Sequence, residues 1–283
     1  MITCNLMGGL GNQLFQIFTT ISHAINIKTR FAFIDVEKLG SGQTTVRPTY
    51  WDNFLLRLKP FTSKEFPQMI RVKEDGFRYS DINLYKYKSQ GQHICLFGYF
   101  QSYKYFSENF YKICKMIDLE QIKKTVISKS GFTQDVLNDT ISLHFRLGDY
   151  KKIQHYHPIM TYEYYKNSLT FFKIREKLKN NVLYFCEEED LEDVNETIAK
   201  LKSDFPTVNF IRASNDLSDW EQMILMSCCR DNIIANSSFS WWGAHLNMNP
   251  YKIVCYPSIW FGEVAGHDTR DLCPMEWNKI QTK

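Results

Sequence analysis

Ile141-Ser142-Leu143-His144-Phe145-Arg146 is a mainly apolar run that turns polar at its end, and Leu147-Gly148-Asp149-Tyr150 follows it. The run has the length and composition of a buried strand. Thr161–Leu178 then has helical spacing, and the same succession recurs downstream. Val182–Cys186, Val208–Arg212, Asn232–Ala235 and Ile253–Tyr256 read as strands. Leu191–Leu201, Trp220–Cys228 and Trp241–Asn247 read as the helices between them. Short apolar strands alternating with helices predict an α/β fold whose parallel sheet is covered on both faces. Ligands of such sheets meet the carboxyl ends of the strands, which is where His144, Arg146 and Asp149 fall.

The preceding part carries the same pattern less clearly. Ile2–Leu6 reads as a strand, followed by a glycine-rich turn and a helix from about Asn12 to Asn26. Phe31–Val36 reads as a strand, Gly40–Tyr50 as a loop, and His93–Gly98 as a strand with helical stretches after it through Ser128. Pro60–Gln92 has little periodicity of either kind. The turn-rich Ser130–Asp139 predicts a lobe boundary: a first lobe over 1–138 on the acceptor side, a nucleotide-sugar lobe over 139–258, and a tail over 259–283 packing back on them. Two open lobes of this kind create a cleft between the carboxyl ends of their strands.

The totals fit this reading and exclude others. The chain has 283 residues, enough for two α/β lobes. A net charge of +3, with only the short basic runs Lys123-Lys124 and Lys151-Lys152, is too mild for a dedicated nucleic-acid binder. The 8 cysteines show no CxxC or Cys/His spacing of a metal site. Cys4, Cys186 and Cys255 lie in strand-like runs, where a reduced thiol acts as a small hydrophobe, and a reducing compartment is expected. No signal-peptide pattern precedes Gly8, and no apolar run approaches the roughly 18 residues of a membrane span. The expectation is a cytoplasmic protein, free or peripheral to a membrane, of undetermined oligomeric state.

Four segments could carry chemistry. In Met7-Gly8-Gly9-Leu10-Gly11-Asn12-Gln13, glycines at a helix start let backbone N–H groups approach an anion, or simply make a tight turn. Arg146 at its strand end could bind a pyrophosphate in bidentate fashion, or pair with Asp149 to fix the strand end. Asn236-Ser237-Ser238-Phe239-Ser240 precedes Trp241-Trp242; its serines could cap a helix or ring a phosphate, and the tryptophans suit core packing. The acidic Glu187–Asp190 could supply a base or a metal site, but reads more simply as a solvated helix start.

Taken together, these segments resemble the α-1,2-fucosyltransferases, glycosyltransferase family 11. The resemblance rests on Gly8–Gln13, on His144-Phe145-Arg146-Leu147-Gly148-Asp149 and on Asn236–Ala244. Gly98–Ser102, Tyr105-Phe106, Leu225–Ser227, Ile233–Asn236 and the pair Pro257 and Trp260 extend it along nearly the whole chain. It implies a two-lobed GT-B-like architecture of Rossmann-like lobes, GDP-β-L-fucose as donor, inversion at the anomeric carbon, and no required metal or other cofactor. It implies that Gly9, Gly11, Asn12, Gln13, Asn236, Ser237, Ser238 and Ser240 flank the donor, with Arg146 on its pyrophosphate. His144 and Asp149 lie in the segment where a general base is sought. Ser214 and Asp216 are expected to read guanine or ribose, or else to cap the helix before Trp220. The motif's second basic residue is Leu147 here, so the pyrophosphate role carries over to Arg146 alone. A different donor or acceptor, and a silent glycan-binding protein, remain open at this stage.

Overall fold

Leu14, Phe15, Ile17, Phe18 and Ile21 of one helix are wholly buried, and the first unit of the chain forms around them. The computed structural model describes residues 1–40 and 45–283. It divides into two compact units, residues 1–122 with 267–274 and residues 123–266 with 275–283.

In the first unit, strand β1 (Ile2–Cys4) leads through the glycine turn into helix α1 (Leu10–Asn26). Strand β2 (Met69–Lys73) and strand β3 (His93–Phe97) complete a parallel sheet of order β1-β3-β2. Helix α2 (Phe110–Met116) follows, and Phe18 of α1 meets Phe106 at 5.7 Å and Phe110 at 6.0 Å between ring centroids. The expected strand Phe31–Val36 is short: only Phe33–Ile34 pairs, with Thr62–Ser63. Within the expected loop Gly40–Tyr50, residues 41–44 lie outside the described residues, and Arg47–Pro48 pairs with Lys38–Leu39. Strand β2 sits inside the stretch without periodicity. It is an edge strand with only Val72 buried, so it lacks the alternation of a strand with one covered face.

In the second unit, helix α3 (Leu119–Ser130) precedes strand β4 (Thr140–His144), helix α4 (Tyr162–Ile174) and strand β5 (Asn181–Phe185). Helix α5 (Leu191–Asp204), strand β6 (Asn209–Arg212), helix α6 (Asp219–Cys228) and strand β7 (Asp231–Ile233) follow. Helix α7 (Ser238–His245), strand β8 (Val254–Pro257) and strand β9 (Asn278–Ile280) complete it. The sheet order is β6-β5-β4-β7-β8-β9 and every pair is parallel. That is the Rossmann order, in which the chain first works outward on one side of β4 and then on the other. Side chains alternate across β4. Ile141, Leu143 and Phe145 join the core with Tyr164, Tyr165 and Leu169 of α4, while Ser142 on the other face accepts from Asn232 Nδ2 at 2.7 Å. The same amide donates to Met226 O, and Asn247 Nδ2 donates to Asn232 Oδ1 at 2.9 Å.

Two boundaries differ from expectation. The units divide at Ile122 and Lys123, not after residue 138. Lys123 Nζ donates to Leu246 O at 2.7 Å, and Lys129 Nζ lies 2.8 Å from both Glu221 carboxylate oxygens, so most of α3 belongs with the second unit. Ser130–Asp139 is therefore a connection within that unit, and Thr133 there caps a short helix, Gln134–Asn138. The tail also divides. His267–Pro274 falls with the first unit and Met275–Lys283 with the second, to which it adds β9. Among the described residues, no helix is long and apolar enough to cross a membrane.

Gly243 shows how tightly α6 and α7 pack. A Cβ there would stand 2.9 Å from Met226 Cβ and 3.0 Å from its Sδ. Gly243→Ala gains helix propensity but overpacks this contact, and overpacking is the larger effect. The expected outcome is a net loss of about 1–2 kcal/mol of stability in urea titrations.

Candidate active site

The switch point of the second sheet lies between β4 and β7, because the chain leaves these neighbours toward opposite edges. Ligands of open α/β sheets bind outside the carboxyl ends of two such strands. The segments leaving those ends are Phe145–Asp149 and Ile234–Ser240, two of the motifs singled out in the sequence.

Phe145 N–H donates to Phe185 O at 2.9 Å and carries the pairing one residue past β4. Arg146 comes next, its side chain 17% exposed. Its guanidinium lies over the Tyr150 ring at 4.9 Å and pairs with Asp149 through Nη2 and with Glu187 through Nη1. Burial works against this charge, but Glu187 and Asp149 outweigh it and hold the guanidinium protonated. The Tyr150 hydroxyl donates to Asn236 O at 3.3 Å, so one aromatic side chain ties the two motif segments together.

The turn after Arg146 is fixed from β5. Gly148 has φ +39°, and its N–H donates to Asp190 Oδ2 at 2.7 Å. Asp190 is buried, and its other oxygen meets Lys151 Nζ at 2.8 Å; Lys151 also pairs with Asp193. The acidic run is thus more than a solvated helix start. Glu187 holds Arg146, Glu188 holds Arg212 and Asn215, and Asp190 holds the turn. Sequence reasoning missed these roles because the partners come from neighbouring strands. Four acids directly after a strand end were the available signal.

His144, the last residue of β4, is buried against Phe239 with ring centroids 5.5 Å apart. Burial, with Arg146 adding to it, lowers its pKa to about 3, so the imidazole is neutral at physiological pH. Leu147, at the position of the family's second basic residue, is buried in the core under α4. It lines a cavity of about 380 Å³ with Lys151, Tyr162 and Asp193.

The turn from β7 into α7 shares out its polar groups. Asn236 Nδ2 donates to Pro158 O at 2.9 Å and to Trp260 O at 3.0 Å, fixing two surface loops. Ser237 is the N-cap and accepts from Phe239 N. Ser240 is buried with its hydroxyl turned to Ser237 O and Ala235 O. The hydroxyl of Ser238, half-buried in the first turn, makes no hydrogen bond among the described residues. Trp241 and Trp242 are wholly buried, with Trp241 stacked on His245 at 4.5 Å, so the pair is core. Beyond β6, Ser214 donates to Asp216 Oδ2 at 2.9 Å and closes its own turn. These residues do not cap α6: Ser218 does, in a capping box with Glu221.

The glycine turn belongs to the first unit. Gly8 has φ +76°, and a Cβ there would lie 2.5 Å from Asn12 Nδ2. Asn12 Oδ1 accepts from Gln101 at 2.8 Å, and Gln13 Nε2 donates to Gly8 O and Pro48 O, so both side chains serve the turn itself. Gly9 is the N-cap without a side-chain bond, a Cβ there would meet nothing within 4 Å, and Gly11 is buried in the first turn of α1. The start of α1 is left to its backbone N–H groups.

The sequence profile of the family described as glycosyl transferase family 11 matches residues 1–280. An α-1,2-colitosyltransferase of Escherichia coli is 27% identical, with 99% of each chain covered. The O-antigen biosynthesis glycosyltransferase WbnK of Escherichia coli is 26% identical over 98% of this chain and 99% of its own. Among solved structures, Escherichia coli ADP-heptose LPS heptosyltransferase II matches with a TM-score of 0.37 at 16% identity, covering 57% of this chain and 43% of that one. A glycosyl transferase family 9 structure from Veillonella parvula matches at 0.34 and 13% identity, covering 58% of this chain and 40% of that one.

The neutral state of His144 has a measurable consequence. Its folded pKa lies below the ordinary value near 6.5, so protonation favours the unfolded chain. The stability it contributes is complete above about pH 6.5 and is lost progressively as pH falls toward 3. Histidine NMR should find the His144 ring resonance constant between about pH 5 and 8; a midpoint near 6.5 would contradict the burial argument.

Proposed function

The chain belongs to glycosyl transferase family 11, and from that premise we propose that it transfers L-fucose from GDP-β-L-fucose to a sugar hydroxyl. The acceptor position is the 2-hydroxyl of galactose, and the product is an α-1,2 linkage formed with inversion. As a glycosyltransferase it works on a nucleotide-sugar donor and a glycan acceptor. One observation carries the finer reading: Arg146 and the serine turn Ser237–Ser240 leave the two adjacent strands of the switch point, linked through Tyr150.

In this reading the acceptor oxygen attacks the anomeric carbon in line, opposite the departing GDP, through an oxocarbenium-like state. Charge grows on the diphosphate as the bond breaks. Arg146 meets that charge with a planar fork held in place by Tyr150, and positioning supplies the remaining effect. Ser238 and the N-terminal N–H groups of α7 add donors on the other strand end. Asp149 orients Arg146. His144 forms a neutral floor beside it, where a second positive charge is unfavourable. Gly9 and Gly11 offer backbone N–H groups at the start of α1, and Ser214 and Asp216 present a closed polar turn for the nucleoside. We propose that no metal is needed, because Glu188 and Asp190 are each already matched to a cation.

A relative named as an α-1,2-colitosyltransferase favours a second donor, GDP-colitose, whose sugar is fucose lacking one ring hydroxyl. Incubation with each donor and an array of galactose-, rhamnose- and GlcNAc-terminated acceptors, with and without EDTA, separates the readings. NMR of the product should show α-1,2-linked fucose on galactose, formed equally with EDTA present. Transfer from GDP-colitose alone would replace the donor, and EDTA loss restored by Mn²⁺ would replace the metal-free mechanism. Glycan binding without GDP binding would point to a silent glycan-binding protein.

Arg146→Ala should lower turnover about 10²–10³-fold in a folded protein, the scale for losing one preorganised contact to developing charge. Arg146→Lys should recover little of it, because the ammonium lacks the fork. Near-normal turnover in the alanine variant would remove Arg146 from the mechanism.

A further inference from the structure

The guanidinium proposed to hold the donor diphosphate is already engaged. Glu187 reaches it across the sheet from the end of β5, and Asp149 reaches it from the turn that follows. With both carboxylates in place, this group carries a net negative charge before any ligand arrives. A diphosphate cannot add to such a group without opposing it; it must take the place of one carboxylate.

The two carboxylates are not equivalent. Asp149 lies on the short helical turn Gly148–Lys152, which the buried Asp190 anchors through both Gly148 N–H and Lys151. Both are about half exposed, at 56% and 54%, but Glu187 has the longer side chain and comes from another strand, and its carboxylate reaches Arg146 through a gap beside the backbone. That gap is the missing side chain of Gly148. A Cβ there would stand 2.9 Å from Glu187 Oε2 and 3.1 Å from Arg146 Nη1. With φ +39°, position 148 also disfavours any residue that would fill the gap. The sequence thus keeps an anion-sized berth open beside the guanidinium, and a carboxylate lies in it.

We infer that Glu187 is a stand-in for a donor phosphate: its carboxylate occupies the berth that a phosphate oxygen takes, and donor binding exchanges one anion for the other on Arg146. The inference rests on the proposed role of Arg146. Glu187 then sets donor and GDP affinity from the outside, as a competitor tethered to the protein. It fills the second side of the guanidinium while the site is empty, and it opposes tight retention of GDP after transfer. No bond is made or broken in this exchange; one charge-assisted pair replaces another.

Calorimetric titration of wild type, Glu187→Gln and Glu187→Ala with GDP and with guanosine tests it. Both variants should bind GDP about three- to tenfold tighter, the scale of one charge removed at a partly exposed contact. Guanosine affinity should be unchanged, since it carries no phosphate. Equal or weaker GDP binding in both variants overturns the inference, as does an equal gain for guanosine. Arg146→Ala is the separate control. If GDP affinity survives that substitution, the anchor itself is wrong and the exchange falls with it. If Arg146→Ala loses GDP while the Glu187 variants gain nothing, only the exchange is lost.

Discussion

A guanidinium largely withdrawn from water at the end of a central strand has to be neutralised, and much around it follows from that need. Arg146 is placed by β4, the strand from which the sheet grows in both directions. Its counter-charges come from two places, one local and one from the next strand. Reaching it from the next strand requires Gly148, and fixing the turn that contains Gly148 requires the buried Asp190. Asp190 in turn needs Lys151. The cluster is a chain of obligations running outward from one charge.

The second unit was legible because its central strands are buried on both faces and its helices have clear periodicity. Each strand from Ile141 to Tyr256 lies within two residues of its expected place. What one chain direction does not carry is strand order. The partners of Glu187, Glu188 and Asp190 depend on β5 lying beside β4 on one side and β6 on the other, and nothing local to Cys186-Glu187-Glu188 states it. The acidic run therefore read as solvated surface. Edge strand β2, with one buried side chain, was invisible for the complementary reason that it has almost no apolar face. The lobe boundary was misplaced because turn residues mark any connection, while Lys123, which joins α3 to the second unit, acts through carbonyls 104 and 123 residues away.

The motif readings separate along the same line. Arg146 with Asp149 was expected either to grip a phosphate or to close a salt bridge; the structure contains the bridge, and the exchange inferred for Glu187 would leave that bridge in place. The serine turn is likewise divided. Ser237 caps and Ser240 is internal, which leaves Ser238 and the backbone for a ligand. A sequence motif of this density thus encodes a local scaffold first, with a few groups left over for chemistry.

The amide of Asn232 links Ser142, Met226 and Asn247 in the interior beside β4 and β7. Sliding β7 by one residue would turn Asn232 to the apolar face under α4 and leave its amide unsatisfied there. Aliphatic residues at these positions could pack at least as stably, but they would tolerate several alignments of the two strands. The polar clasp thus favours one alignment of the two strands over its neighbours. The observed alignment satisfies it, and it brings the arginine turn and the serine turn to neighbouring strand ends.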